Sequence, residues 1–154
     1  MDVRKLPFLL IGGAIIVLLV LAVFGAKRAE APGTEPDGGG ITYVNATADD
    51  IVVDLPFPGA VVGKEFSVVG KARGPWYFEA SFPVVILGEN GEILAQVPAQ
   101  AEGEWMTENF VPFKADLAIP ESYIGPATLV VKKDNPSGLP EHDASVSFPI
   151  TIEY

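Results

Sequence analysis

The residues best equipped for chemistry lie in three short stretches. Arg73 and Glu79 flank Trp76, Tyr77 and Phe78, and Trp105 follows further along. The spacing of Arg73 and Glu79 lets them meet across a bend. A carboxylate in such aromatic company is costly to bury alone, so an ion pair or backbone hydrogen bonds are expected around it. The pair either fixes the start of a strand or contacts a ligand. In an extended segment Trp76 and Phe78 share one face and Tyr77 takes the other. One set then packs in a core, and the other forms an exposed aromatic patch suited to glycan or protein contacts. Asp134, Asn135, Glu141 and Asp143 supply oxygen atoms of the kind calcium takes, although their spacing is not that of an EF-hand loop. Such residues also favour turns without any ion.

The chemistry that is missing narrows the function classes. The chain has no cysteine, so disulfides, Cys-ligated zinc, Fe–S clusters and a lipid-modified cysteine fall together. His142 is the only histidine, and it reads as a solvated loop residue. No G-x-S-x-G nucleophile motif and no phosphate-cradling loop is present. The expectation is a non-catalytic protein without a cofactor. Residues 1–40 balance four acidic against four basic side chains, so the formal charge of −10 belongs to the remainder. Such a surface repels nucleic acid and anionic lipid headgroups, and it keeps a tethered domain soluble.

Where the protein works is set by the run Leu6 to Phe24, which holds no charged residue. At 1.5 Å per residue it spans about 28 Å, close to the hydrocarbon thickness of a bilayer. Its length favours a signal anchor over a cleaved signal. The best cleavage match, Ala29-Glu30-Ala31, is followed by Pro32. Arg4 and Lys5 face Lys27 and Arg28 across the run, so the positive-inside rule is nearly balanced. A short N-terminal tail and an acidic β-rich domain favour N-in, C-out. Residues 1–25 are thus read as a transmembrane signal anchor and 26–40, rich in Pro and Gly, as a flexible linker.

The remaining residues, 41–154, must position the candidate side chains, and they alternate with period two. Phe66, Val68 and Gly70 share a face, as do Phe82, Val84 and Ile86. Glu89-Asn90-Gly91 signals a tight turn into Ile93, Ala95 and Val97. Phe113, Ala115, Leu117 and Ile119 follow, then Leu129 and Val131, and finally Val146, Phe148, Ile150 and Ile152. With a strand at 51–55, this gives about seven strands and predicts an all-β, immunoglobulin-like two-sheet β-sandwich after a single transmembrane helix. Pro83, Pro112 and Pro149 fall within strand patterns and are expected on edge strands or at bulges.

Three segments carry a family resemblance. They are Ala72-Arg73-Gly74-Pro75-Trp76-Tyr77-Phe78-Glu79-Ala80-Ser81-Phe82-Pro83-Val84, then Glu104-Trp105-Met106-Thr107-Glu108-Asn109-Phe110-Val111-Pro112-Phe113, then Lys133-Asp134-Asn135-Pro136-Ser137-Gly138-Leu139-Pro140-Glu141. Together they resemble the immunoglobulin-like domain of bacterial spore germination, the second of the two Gmad-type domains. The likeness runs from about Asp50 to Ile152. It implies an extracytoplasmic immunoglobulin-like module of bacterial envelope proteins, and it brings no established catalytic residues. The expected protein is anchored in the cell membrane by a single pass, with the C-terminal domain outside. There it would bind cell-wall glycan or another envelope protein, or serve as a subunit of a larger complex built through its anchor and domain edges.

Overall fold

The computed structural model describes residues 40–154. The apolar run at 6–24 and all but the last residue of the linker lie outside the described residues. Among the described residues no helix is long and apolar enough to cross a membrane.

The domain is all-β and immunoglobulin-like, with nine strands: β1 (Thr42–Val44), β2 (Ile51–Leu55), β3 (Val61–Val62), β4 (Glu65–Arg73), β5 (Ser81–Gly88), β6 (Ile93–Ala101), β7 (Phe110–Ala118), β8 (Gly125–Lys132) and β9 (Ser145–Ile152). The two beyond the expected number, β1 and β3, are too short to show a period in sequence. Hydrogen bonding is continuous along β1-β9-β8-β5-β6-β7-β4-β2, with β3 added to β9. The expected two sheets are therefore one curled sheet. Its wings are joined where Gln100 and Ala101 of β6 pair with Lys114 and Phe113 of β7. The Phe82 ring of β5 lies 4.9 Å from the Phe113 ring of β7, although these strands are not neighbours in the sheet. The two wings thus face one another across a shared core.

Alternation fills that core. Val146, Phe148, Ile150 and Ile152 of β9 are buried, as are Val111, Phe113, Ala115 and Leu117 of β7. Ile93 departs from the pattern and is 63% exposed. Pairing shifts between Ile86↔Ala95 and Leu87↔Ile93, which inserts one residue into β6 and reverses its facing beyond that point.

The prolines sit at local rather than global edges. None of β5, β7 and β9 is an outermost strand of the path. Pro83 opposes Pro98, and two residues without N–H groups can only form a non-hydrogen-bonded pair. Pairing of β5 with β8 begins one residue later, at Val84. Pro149 falls between the stretches of β9 taken by β1 and β3. Pro112 precedes the two β7 residues that pair with β6. Each ring occupies a place where a neighbouring strand stops.

The register separates two ends. Loops 45–50, 74–80, 102–109 and 133–144 gather at one. Loops 56–60, 63–64, 89–92 and 119–124 gather at the other. There Lys64 Nζ donates to the Tyr123 carbonyl, and the Tyr123 hydroxyl donates to the Pro126 carbonyl while accepting from the Glu89 N–H. Val44, the last residue of β1, opposes Ser145, the first of β9. The chain therefore runs towards the first end as it joins the sheet.

Phe82 is the hub, with its ring against Trp76, Tyr77 and Phe113. Phe82→Ala should destabilise the domain by about 3–5 kcal/mol, against less than about 0.5 kcal/mol for Ile93→Ala at its exposed site. Urea denaturation of both variants checks the contrast.

Candidate functional site

The first end is where sequence-remote segments meet. β4 runs out at Arg73, and Gly74–Trp76 forms a single 3-10 turn. The Gly74 N–H donates to the Asn109 carbonyl, and the Asp134 N–H donates to the Trp76 carbonyl. The turn is thereby tied to the loop on either side. A Cβ on Gly74 would lie 1.7 Å from the Thr107 carbonyl oxygen, so only glycine permits this approach. The three segments quoted above thus form one surface.

Arg73 and Glu79 do not pair. The Arg73 Nε donates to the Asp49 carbonyl at 2.9 Å and Nη1 to the Glu108 carbonyl at 3.4 Å. Its guanidinium also lies 4.0 Å from the centre of the Phe110 ring. Glu79 is exposed in a two-residue turn, where it and Ala80 have φ of 51° and 62°. Phe78 and Ser81 close that turn with reciprocal backbone hydrogen bonds. The turn aims Glu79 outward, and the backbone carbonyls of two neighbouring loops take the place of a carboxylate beside Arg73.

The aromatic triplet also departs from strand geometry. Trp76 and Tyr77 are both buried and Phe78 is 44% exposed, because the 3-10 turn breaks the alternation an extended segment would keep. The Tyr77 hydroxyl donates to the Val111 carbonyl at 2.7 Å. Trp76 packs edge-on to Phe82, but its indole N–H is buried without a hydrogen-bond partner in the protein. Trp105 is half-buried against the core, and Met106 beside it is exposed.

The acidic loop holds itself together. Asn135 Nδ2 donates to Asp143 Oδ1 at 2.7 Å and to the Leu139 carbonyl, and the Ser137 hydroxyl meets Asn135 Oδ1. The amide thus turns its donor towards Asp143 and its acceptor towards Ser137. Glu141 and Asp143 are exposed, and the Asp134 N–H serves the turn. Among the described residues no three His, Cys, Asp or Glu side chains converge on a point that could hold a metal. Ser137 Oγ also lies 3.0 Å from His142 Nδ1 on the exposed loop.

Three clefts surround the turn, and Pro75 lines each. One, of about 390 Å³, has Arg73, Trp76, Lys133, Asp49, Asp50 and Glu108 in its wall. A second, of about 380 Å³, lies between Phe78 and the loop carrying Ser137 and His142. The third, of about 400 Å³, runs along Trp105, Met106 and Thr107. Sequence reasoning named Arg73 and the aromatics but missed Lys133, Asp49 and Glu108. Charged residues in loops carry no periodic signal, and only their place inside the quoted segments marked Glu108 and Lys133.

Residues 50–139 match the family model described as the immunoglobulin-like domain of bacterial spore germination, and the chain belongs to that family. No curated protein matches the chain.

Burial pushes the Tyr77 phenol well above its ordinary value of 10.0, and the nearby Glu102 charge adds to the shift. The unfolded chain releases this proton near that ordinary value while the folded domain retains it. Its contribution to stability is therefore complete below about pH 10 and is lost as pH rises further. Melting temperatures should fall between about pH 9.5 and pH 11.5. In Tyr77→Phe the fall should be shallower, from a starting stability lower by about 1–2 kcal/mol for the lost hydrogen bond.

Proposed function

We propose that this member of the spore-germination immunoglobulin-like family is a non-catalytic binding module of the bacterial envelope. It is held by an N-terminal membrane anchor and meets the cell wall or another surface protein with its signature loop end. The observation that carries this reading is convergence. Three segments spread over some seventy residues, 72–141, build one end of the domain, with exposed apolar side chains beside clefts. Phe78, Met106 and Leu139 are 44%, 73% and 47% exposed in these loops. Large apolar groups beside polar clefts suit recognition of a solid or macromolecular surface.

A second reading, a subunit of a larger envelope complex, has its own support. Leu55, Phe57, Val61 and Ile124 at the opposite end are 54%, 61%, 59% and 68% exposed. These side chains would offer a partner an apolar surface.

Co-sedimentation with isolated cell-wall sacculi separates the readings. Residues 40–154, first shown to unfold cooperatively in urea, should pellet with sacculi at moderate salt. A Phe78→Ala, Met106→Ala double variant should bind at least about tenfold more weakly, with stability changed by under about 1 kcal/mol. Failure of the unmodified domain to bind would transfer the weight to protein partners. Replacing residues 6–24 by an unrelated anchor would then have to disrupt complex formation, as judged by crosslinking in membranes.

A further inference from the structure

We infer that the cleft lined by Arg73, Trp76 and Lys133 is a binding site for the carboxylate of a peptide. This deepens the binding-module reading and rests on it. The cleft of about 390 Å³ is large enough for a few heavy-atom groups, and its wall is chemically uneven. Arg73 spends Nε and Nη1 on the Asp49 and Glu108 carbonyls, which fixes the guanidinium in place. Lys133 makes no ion pair or hydrogen bond through its ammonium group among the described residues, where the one ion pair is Lys114–Asp116. Trp76 adds a buried indole N–H without a partner in the protein.

A lysine ammonium without a bonded counterion and an indole N–H without an acceptor point to an anion. The rest of the wall decides which kind. Asp49, Asp50 and Glu108 also line the cleft, within a domain carrying 16 acidic and 6 basic side chains after residue 40. A phosphate dianion would meet that field with twice the charge of a carboxylate and no compensating proton donors near the acids. A carboxylate carries one charge and planar acceptor oxygens that suit a guanidinium, an ammonium and an indole N–H. The N–H groups of a peptide chain would face Asp49 and Glu108. Wall peptides and protein C-termini share this chemistry, and they differ in chirality at the terminal residue.

Trp76 and Trp105 are the only tryptophans, so ¹⁵N-tryptophan labelling of the full chain in lipid nanodiscs gives two indole signals. Trp105→Phe assigns the remaining one to Trp76. The probes are N-acetyl-D-Ala-D-Ala, N-acetyl-L-Ala-L-Ala, their C-terminal amides, and inorganic phosphate. A free-carboxylate dipeptide should move the Trp76 indole signal saturably, whereas the amides and phosphate leave it in place. Preference for the D or the L probe distinguishes a wall peptide from a protein C-terminus. Lys133→Gln should weaken the response at least about tenfold, a loss suited to one charge-assisted contact. Lys132→Gln, with the same net charge change outside this cleft, should leave it unchanged. No movement of the Trp76 signal, equal movement with the amides, or a response to phosphate alone would overturn the assignment. If sacculi bind while these peptides do not, the carboxylate site fails and the binding module stands. If the peptides bind while sacculi do not, the site stands and the wall ceases to be its source.

Discussion

The loop end depends on the absence of one carbon atom. Gly74 brings its backbone so near the 105–107 segment that a Cβ would overlap the carbonyl of Thr107 and crowd that of Trp105. The contact is backbone against backbone, so no side-chain rotation could relieve it. Once it is made, the Gly74 N–H reaches Asn109 and the turn presents the Trp76 carbonyl to Asp134. Loops 102–109 and 133–144 are thereby held to the same three-residue turn. The clefts are the spaces that remain around Pro75, whose ring has no N–H to satisfy and can stand exposed at their junction.

A second constraint fixes this turn from beneath. Phe82 takes Trp76 at 6.5 Å edge-on, and Tyr77 and Phe113 each at 4.9 Å. Tilted and edge-on geometries place positive ring edges against negative faces, which adds directional preference to simple burial. Tyr77 then anchors its hydroxyl on Val111, one residue beyond Phe110 at the start of β7. The same Phe110 ring receives the Arg73 guanidinium, and Lys71 lies 5.1 Å from its centre. The aromatic cluster below and the cations above are parts of one structure. A change at β7 is felt by both.

The strands were legible in the sequence because half-buried strands write their facing into alternate residues. Val146, Phe148, Ile150 and Ile152 needed no other clue. Legibility failed wherever the chain left period two. Ile93 was misread because an extra residue in β6 is invisible until the pairing is known. Trp76 and Tyr77 were assigned to opposite faces because a single 3-10 turn looks like any short aromatic stretch. The expected Arg73–Glu79 pair assumed a bend that folds the chain back on itself, whereas both residues of the Glu79-Ala80 turn are left-handed and direct Glu79 away. Long-range partners such as Asp49 and Glu108 could not be read from spacing, since they meet Arg73 from separate loops through backbone carbonyls that every residue owns.

Trp76 belongs both to the core and to the lining of a cleft. An unsatisfied buried N–H costs on the order of 1–3 kcal/mol, and a phenyl ring would fill much of the same space without that cost. Packing against Phe82 therefore explains an aromatic ring at this position but not an indole. What the indole adds is a buried donor on a residue that also lines the cleft holding the Arg73 guanidinium and the Lys133 ammonium. Stability alone favours removing that donor. An oxygen supplied by the proposed carboxylate would account for the indole, and satisfying its N–H would then add to the affinity.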